Sequence, residues 1–195
     1  MNWETLLCIG DSITIGARSY MGYPEYAGFE LENVLSKRWN VVNKSVSGYK
    51  TIDICRMIDD DFSNLKMHTP SIITILSGTN DIKSKVCIED FNIAYSQLVT
   101  KARLLSPMVM LIKIPYFTKG IMYPYTFNMN DSIAEFNDIV VTLGNKNNLR
   151  VLDLDWQEEW FFDGVHLNDM GSKSVGKVLA EYILEDKGFA KDSQQ

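Results

Sequence analysis

The chain is short of cysteine, histidine, runs of like charge and long apolar stretches, and each shortage excludes something. Cys8, Cys55 and Cys87 are the three cysteines in 195 residues. They are too few and too scattered for a disulfide framework. Together with two histidines, and without C-x-x-C or H-x-x-x-H spacing, they offer no structural zinc site. Nineteen basic against 25 acidic residues leave a net charge of −6. No basic run exceeds stretches such as Lys83-Ser84-Lys85, so the electrostatic footprint of a nucleic-acid or anionic-lipid binder is missing. No apolar run approaches the ~18 residues of a membrane span. Met1-Asn2-Trp3-Glu4-Thr5 has neither the basic region nor the apolar stretch of a signal peptide. As written, the sequence leads one to expect a cytoplasmic chain without membrane insertion, secreted only if a leader has been removed.

Apolar residues make up 46% and charged residues 23% of the chain, ordinary globular usage that disfavours disorder and coiled coil. Strand-like runs, at Thr5 to Ile9, Val41-Val42, Ser71 to Leu76, Met108 to Ile114 and Arg150 to Leu154, alternate with helical periods. Helical faces run through Ala27, Leu31, Val34 and Leu35; through Ile52, Cys55, Ile58, Phe62 and Leu65; and through Phe91, Ala94, Tyr95, Leu98, Ala102 and Leu105. Two more run through Ile133, Phe136, Val140 and Leu143, and through Val175, Leu179, Tyr182 and Ile183. About five β-α units of this kind predict an α/β fold: a five-stranded parallel sheet with helices on both faces. The strands read as continuously apolar, as burial on both faces requires. Residues 1–186 read as one domain, and 187–195 as a polar tail.

Ligands of an open parallel sheet bind beyond the carboxyl ends of its strands. The segments that follow the strands are Gly10-Asp11-Ser12, Ser45-Val46-Ser47-Gly48, Gly78-Thr79-Asn80-Asp81 and, past the fifth strand, Asp163-Gly164-Val165-His166. Together they supply the parts of a serine acyl-transfer site. Ser12 is the candidate nucleophile and needs a base. His166 is the candidate, because His68 precedes the third strand and sits at the opposite end of the sheet, roughly 20 Å away for a six-residue strand. Asp163, three residues before His166, is the candidate orienting carboxylate, with Asp153, Asp155, Glu158 and Glu159 as rivals. The backbone N–H groups of Ser12 and Gly48 and the side-chain amide of Asn80 are candidate oxyanion donors, glycine at 48 permitting close backbone approach. Asp11 and Asp81 read as local turn supports.

These four blocks resemble the SGNH, or GDSL-type, hydrolases, whose name lists a serine, a glycine, an asparagine and a histidine. Here they match Ser12 in GDSI, Gly48 in SVSGYKT, Asn80 in SGTND and His166 in DGVHLN, in the family's order. Ile13 stands where the family's motif has leucine. The resemblance implies a flavodoxin-like three-layer α/β/α sandwich, hydrolysis of carboxylic esters, an oxyanion hole completed by the glycine and the asparagine, and no cofactor or metal. It points to a short acyl ester, such as an O-acetyl group on a carbohydrate. Lysophospholipid or other lipid esters, acyl transfer to another alcohol and a non-catalytic sugar- or partner-binding module stand as alternatives. A flavin or nucleotide binder would need a phosphate-cradling glycine loop, and neither G-x-x-x-x-G-K-[ST] nor G-x-G-x-x-G occurs.

A loop of roughly fifteen residues before the fourth long helix carries Tyr116, Phe117, Tyr123, Tyr125 and Phe127. It reads equally as a substrate wall, with Tyr116, Phe117, Tyr123 and Tyr125 as contacts, or as a cluster packed on the sheet rim. Trp156, Trp160, Phe161 and Phe162 are expected to anchor the His166 loop in the core. A homo-oligomer is compatible with this much aromatic surface.

Overall fold

A computed structural model of the chain describes residues 3–188. Its elements in order are β1 (Glu4–Gly10), α1 (Ser12–Ile15), α2 (Tyr23–Leu35), β2 (Trp39–Ser45), α3 (Thr51–Asp60), α4 (Phe62–Met67) and β3 (Ile72–Leu76). There follow α5 (Thr79–Lys83), α6 (Ile88–Leu105), β4 (Val109–Ile112), α7 (Met129–Asn147), β5 (Arg150–Leu152), a 3-10 turn (Glu158–Trp160) and α8 (Asp169–Asp186). The five strands form one parallel sheet in the order β2-β1-β3-β4-β5.

The alternation of side chains along each strand divides the interior into two layers. Leu7 and Ile9, Ile73 and Ile75, and Val109 and Leu111 face one way and meet Ile54, Ile58, Phe91, Tyr95, Leu98, Ile133, Phe136 and Val140 from α3, α6 and α7. Leu6 and Cys8, Ile72 and Leu76, and Met110 and Ile112 face the other way and meet Ile13, Tyr23, Ala27, Leu31, Val175, Leu179 and Ile183 from α1, α2 and α8. The fold is therefore the three-layer α/β/α sandwich with a five-stranded parallel sheet. Burial on both faces is why β1, β3 and β4 carry almost no polar residue.

Several boundaries differ from the sequence reading for physical reasons. β2 is longer than Val41-Val42, because an edge strand tolerates Asn40, Asn43 and Lys44, which hid it. The helical face 52–65 belongs to two helices that meet at Asp61. Asp59, Asp60 and Asp61 crowd negative charge at the C-terminal end of α3, where the helix dipole opposes it. α1 and α5 are too short to show a period, and both lie on motif turns. At the C-terminal end Lys187 is tied to Glu4 at 3.0 Å, and the polar tail from residue 189 onward lies outside the described residues.

The seam between α2 and α8 depends on Gly176. A Cβ there would stand 2.5 Å from Tyr26 Cβ, 2.7 Å from the Tyr23 carbonyl oxygen and 2.9 Å from the Ala27 nitrogen. Alanine would gain about 1 kcal/mol of helix propensity, but a clash with backbone costs about 3 kcal/mol, a net loss that lowers Tm by roughly 4–8 °C at this chain length. Thermal unfolding of Gly176→Ala checks this; an equal or higher Tm contradicts such close packing of the two helices.

Candidate active site

The register of the sheet assembles three of the four blocks. Gly10 stands opposite Ser45 on one side and Leu76 on the other, so the three strands end level. Residues 11–12, 46–50 and 77–80 therefore leave the sheet side by side on one rim. A side chain at Gly10 would press on the Leu76 carbonyl oxygen at 2.7 Å, so the narrow turn into Asp11 needs glycine. Asp11 caps α1, its Oδ1 accepting from the Ile13 N–H at 3.0 Å. Ser12 is the first residue of that helix, where N–H groups have no intrahelical partner. Its side chain is nearly enclosed.

The fourth block arrives after β5. Asp163 Oδ1 accepts from the N–H groups of Val165 (3.1 Å) and His166 (2.8 Å), closing a tight turn through Gly164. The turn aims the carboxylate at its own histidine: Asp163 Oδ2 lies 2.8 Å from His166 Nδ1. The other ring nitrogen, Nε2, lies 3.0 Å from Ser12 Oγ. An Asp163 carboxylate accepting from Nδ1–H leaves Nε2 free to take the serine proton. Of the rival carboxylates, Asp153 is paired with Lys113 at 2.7 Å and Glu158 with Lys119 at 3.6 Å. His68 caps the end of α4 before β3 begins, at the far end of the sheet.

The segment before His166 is held by main-chain bonds and by aromatic packing. The Phe162 N–H donates to the His166 carbonyl at 2.7 Å and the Asn168 N–H to the Trp160 carbonyl at 2.9 Å. Phe161 is buried, and Trp156 and Trp160 pack on the same core layer. Phe162 is the exception to the expected anchoring, with 66% of its surface exposed.

Gly48 and Asn80 reach the same rim. The reason for glycine at 48 is its backbone, not crowding: φ is +84°, and a Cβ there would meet nothing within 4 Å. Asn80 Nδ2 donates to the Tyr49 carbonyl at 3.0 Å, which fastens the Gly48 loop to α5, and reaches Asp11 Oδ2 at 3.4 Å. Asp81 is not the local turn support expected from sequence. Its Oδ2 accepts from the N–H (2.8 Å) and Oγ1 (3.0 Å) of Thr51, thirty positions away. Asp11 likewise does more than hold its own turn. Both long-range roles were hidden in the sequence, because nothing in a Gly-Asp or Asn-Asp pair tells a local acceptor from a distant one.

The aromatic segment between β4 and α7 is mixed. Tyr125 is half-buried and stands edge-on to the His166 ring, with centroids 6.4 Å apart. Tyr116 is exposed, and Tyr123 is 95% exposed. Phe117 is 2% exposed and packs edge-on against Tyr125 at 5.1 Å, so it reaches a ligand only through that ring. Lys83 places its ammonium 5.8 Å from the centre of the Tyr125 ring. Among the described residues no group of three or more His, Cys, Asp or Glu side chains is arranged to hold a metal ion.

Two carboxyls of the site are shifted in opposite directions. Burial pushes Asp163 up, but hydrogen bonds from the His166 N–H, the His166 ring and the Val165 N–H outweigh it and hold the carboxyl below its usual range. Its contribution to stability is therefore present above the unfolded-state value and is lost as pH falls through the folded one. Asp11 goes the other way: complete burial, with Asp81 nearby, pushes it up to about 7. A carboxyl that binds its proton more tightly when folded makes the protein less stable as pH rises from the unfolded value, about 4, to the folded one. Asp11→Asn retains a cap acceptor and abolishes this ionisation. The Tm of the variant relative to the parent is expected to rise steadily between pH 4 and pH 8. A difference that does not change with pH would show that Asp11 does not titrate in that range.

Comparison with known proteins bears on the fold and the family. An acetylxylan esterase from Geobacillus stearothermophilus superposes with a TM-score of 0.70 at 22% identity, over 96% of this chain and 95% of that one. An α/β hydrolase from the metagenome of Lake Arreo, Spain, superposes with a TM-score of 0.73 at 18% identity, over 95% of each chain. At such identities the likeness speaks for the shared fold. A GDSL esterase/lipase of Arabidopsis thaliana is 23% identical, the alignment covering 96% of this chain and 88% of the plant protein. The family model described as GDSL-like lipase/acylhydrolase matches residues 8–173, which span all four blocks. The chain thus belongs to the GDSL-like lipase/acylhydrolase family and is a carboxylic ester hydrolase.

Proposed function

We propose that this ester hydrolase works through an acyl-enzyme on Ser12, releasing a short acyl group from an alcohol, in the first instance an O-acetyl group from a carbohydrate. The observation that carries the reading is the continuous chain from Ser12 Oγ to His166 Nε2 (3.0 Å) and from His166 Nδ1 to Asp163 Oδ2 (2.8 Å). His166 takes the Ser12 proton as the oxygen attacks the ester carbonyl, and Asp163 steadies the imidazolium that forms. The N–H groups of Ser12 and Gly48 and the Asn80 amide are the donors for the tetrahedral oxyanion, each typically worth about 3 kcal/mol, Asn80 exchanging its long 3.4 Å contact with Asp11 Oδ2 for the oxyanion. His166 returns its proton to the departing alcohol, then activates water to hydrolyse the acyl-enzyme.

A parallel in the Geobacillus acetylxylan esterase supports these roles. Its catalytic mutants replace a serine, an aspartate and a histidine by alanine, the last two three residues apart, as Asp163 and His166 are. The sugar ester is supported by the same protein's substrate and by Tyr125 beside the His166 ring, with Tyr116 and Tyr123 exposed on the same segment, because aromatic faces stack on sugar rings.

Turnover of an acetylated xylo-oligosaccharide and of a long-chain acyl ester, followed by acid release, tests both parts. Ser12→Ala is expected to lower kcat roughly 10⁴-fold or more with the thermal transition retained, and Asp163→Asn by about 10³–10⁴. Turnover surviving in Ser12→Ala overturns the mechanism. A preference for the long acyl chain replaces the sugar ester by a lipid ester.

A further inference from the structure

The buried polar groups behind the site exceed what its four blocks require. Thr51, the first residue of α3, is completely buried, as are Ser77 at the end of β3 and Asp81 in α5. Thr51 Oγ1 lies 2.8 Å from Ser77 Oγ and 3.0 Å from Asp81 Oδ2, and the Thr51 N–H donates to the same carboxylate oxygen at 2.8 Å. A buried carboxylate held by one threonine and one helix turn is a costly way to fasten α3 when an apolar contact would serve. Burial also pushes the Asp81 carboxyl above its usual range, although both Thr51 bonds pull it down. The placement of these groups accounts for the cost. Asp81 directly follows Asn80, and Thr51 lies three residues after Gly48.

We infer that Thr51, Asp81 and Ser77 form a strut that sets the distance between the two oxyanion donors Gly48 and Asn80, and so act as positioning residues for the transition state. Other bonds also hold the loop that carries Gly48, among them one from the Lys50 N–H to Asp53 Oδ2 at 3.2 Å, which ties it to α3. The Val46 N–H donates to the Gly10 carbonyl (3.2 Å), the Tyr49 N–H to the Val46 carbonyl (3.2 Å), and Asn80 Nδ2 to the Tyr49 carbonyl (3.0 Å). Asn80 is itself an oxyanion donor and cannot be both fixed reference and adjustable link. The Val46 bond holds the start of the loop to β1 and the Tyr49 N–H bond closes the loop on itself, so neither ties its end to α5. Besides the Asn80–Tyr49 bond, the Thr51–Asp81 pair joins the backbone just past Gly48 to the helix turn that carries Asn80, and does so without engaging a donor group. A donor displaced by a few tenths of an ångström still binds a ground-state carbonyl but stabilises the oxyanion less. The strut therefore acts on kcat and not on KM.

This inference rests on Ser12 acting as the nucleophile, so Ser12→Ala is measured beside it on the same ester. Thr51→Val keeps the shape and the N–H but removes both hydroxyl bonds; Thr51→Ser keeps them. Thr51→Val is expected to lose about tenfold in kcat with KM within twofold of the parent, and Thr51→Ser to stay within threefold of the parent in both. Asp81→Asn, which weakens the acceptor without removing it, is expected to lose several-fold in kcat with KM unchanged, and carries the test should Thr51→Val not fold. The strut is overturned if Ser12→Ala is inactive while Thr51→Val or Asp81→Asn keeps the parental kcat. It is equally overturned if Thr51→Ser falls as far as Thr51→Val, or if the loss appears in KM. An active Ser12→Ala overturns instead the mechanism on which the inference rests.

Discussion

Ser12 and His166 are 154 residues apart in the chain, and the hydrogen bond between their side chains exists only because the sheet brings both strand ends to one rim. The level register of β1, β2 and β3 puts Ser12, Gly48 and Asn80 within reach of one another. The return of the chain after β5 adds His166 to that group. No local feature of either residue could substitute for this arrangement. The core layers behind the sheet, Leu7 and Ile9 on one side and Leu6 and Cys8 on the other, serve the site by keeping the strand ends from slipping. A shift of one residue in β1 would also turn its apolar side chains to the wrong layers, so register and core specify each other.

The rim concentrates buried polarity that a stability-optimised protein would avoid. Asp11, Asn80, Asp81, Thr51 and Ser77 are all enclosed, and both carboxyls are pushed above their usual range by burial. Satisfied networks of this kind rigidify a structure, and partly satisfied ones cost it dearly. Here the network joins the segments that carry the candidate oxyanion donors. The same logic explains Gly48. Its φ of +84° is a conformation that a side chain would strain, although there is open space for one. The chain thus accepts the entropic cost of a glycine at the turn that carries a candidate oxyanion donor.

Much of the fold was legible in the sequence, because strands buried on both faces are apolar almost without interruption. β1, β3 and β4 stand out for that reason, and β2 does not, because as an edge strand it carries Asn40, Asn43 and Lys44. The four blocks were legible because each follows a strand, and strand ends are where an open parallel sheet binds ligands. What escaped was everything that depends on distant pairing. Asp81 reads as a turn residue until Thr51 is seen against it, and Phe117 reads as a ligand contact until its ring is seen under Tyr125. The break of α3 and α4 at Asp61 was written in three consecutive aspartates, but apolar periodicity alone ran straight through it.

The central claim is that Ser12 is an activated nucleophile. Intact mass after treatment with a fluorophosphonate probe tests it without knowledge of the ester. One adduct per parent chain, located on the peptide that contains Ser12, is the predicted result. An unmodified chain, or an adduct on another residue, would contradict the account.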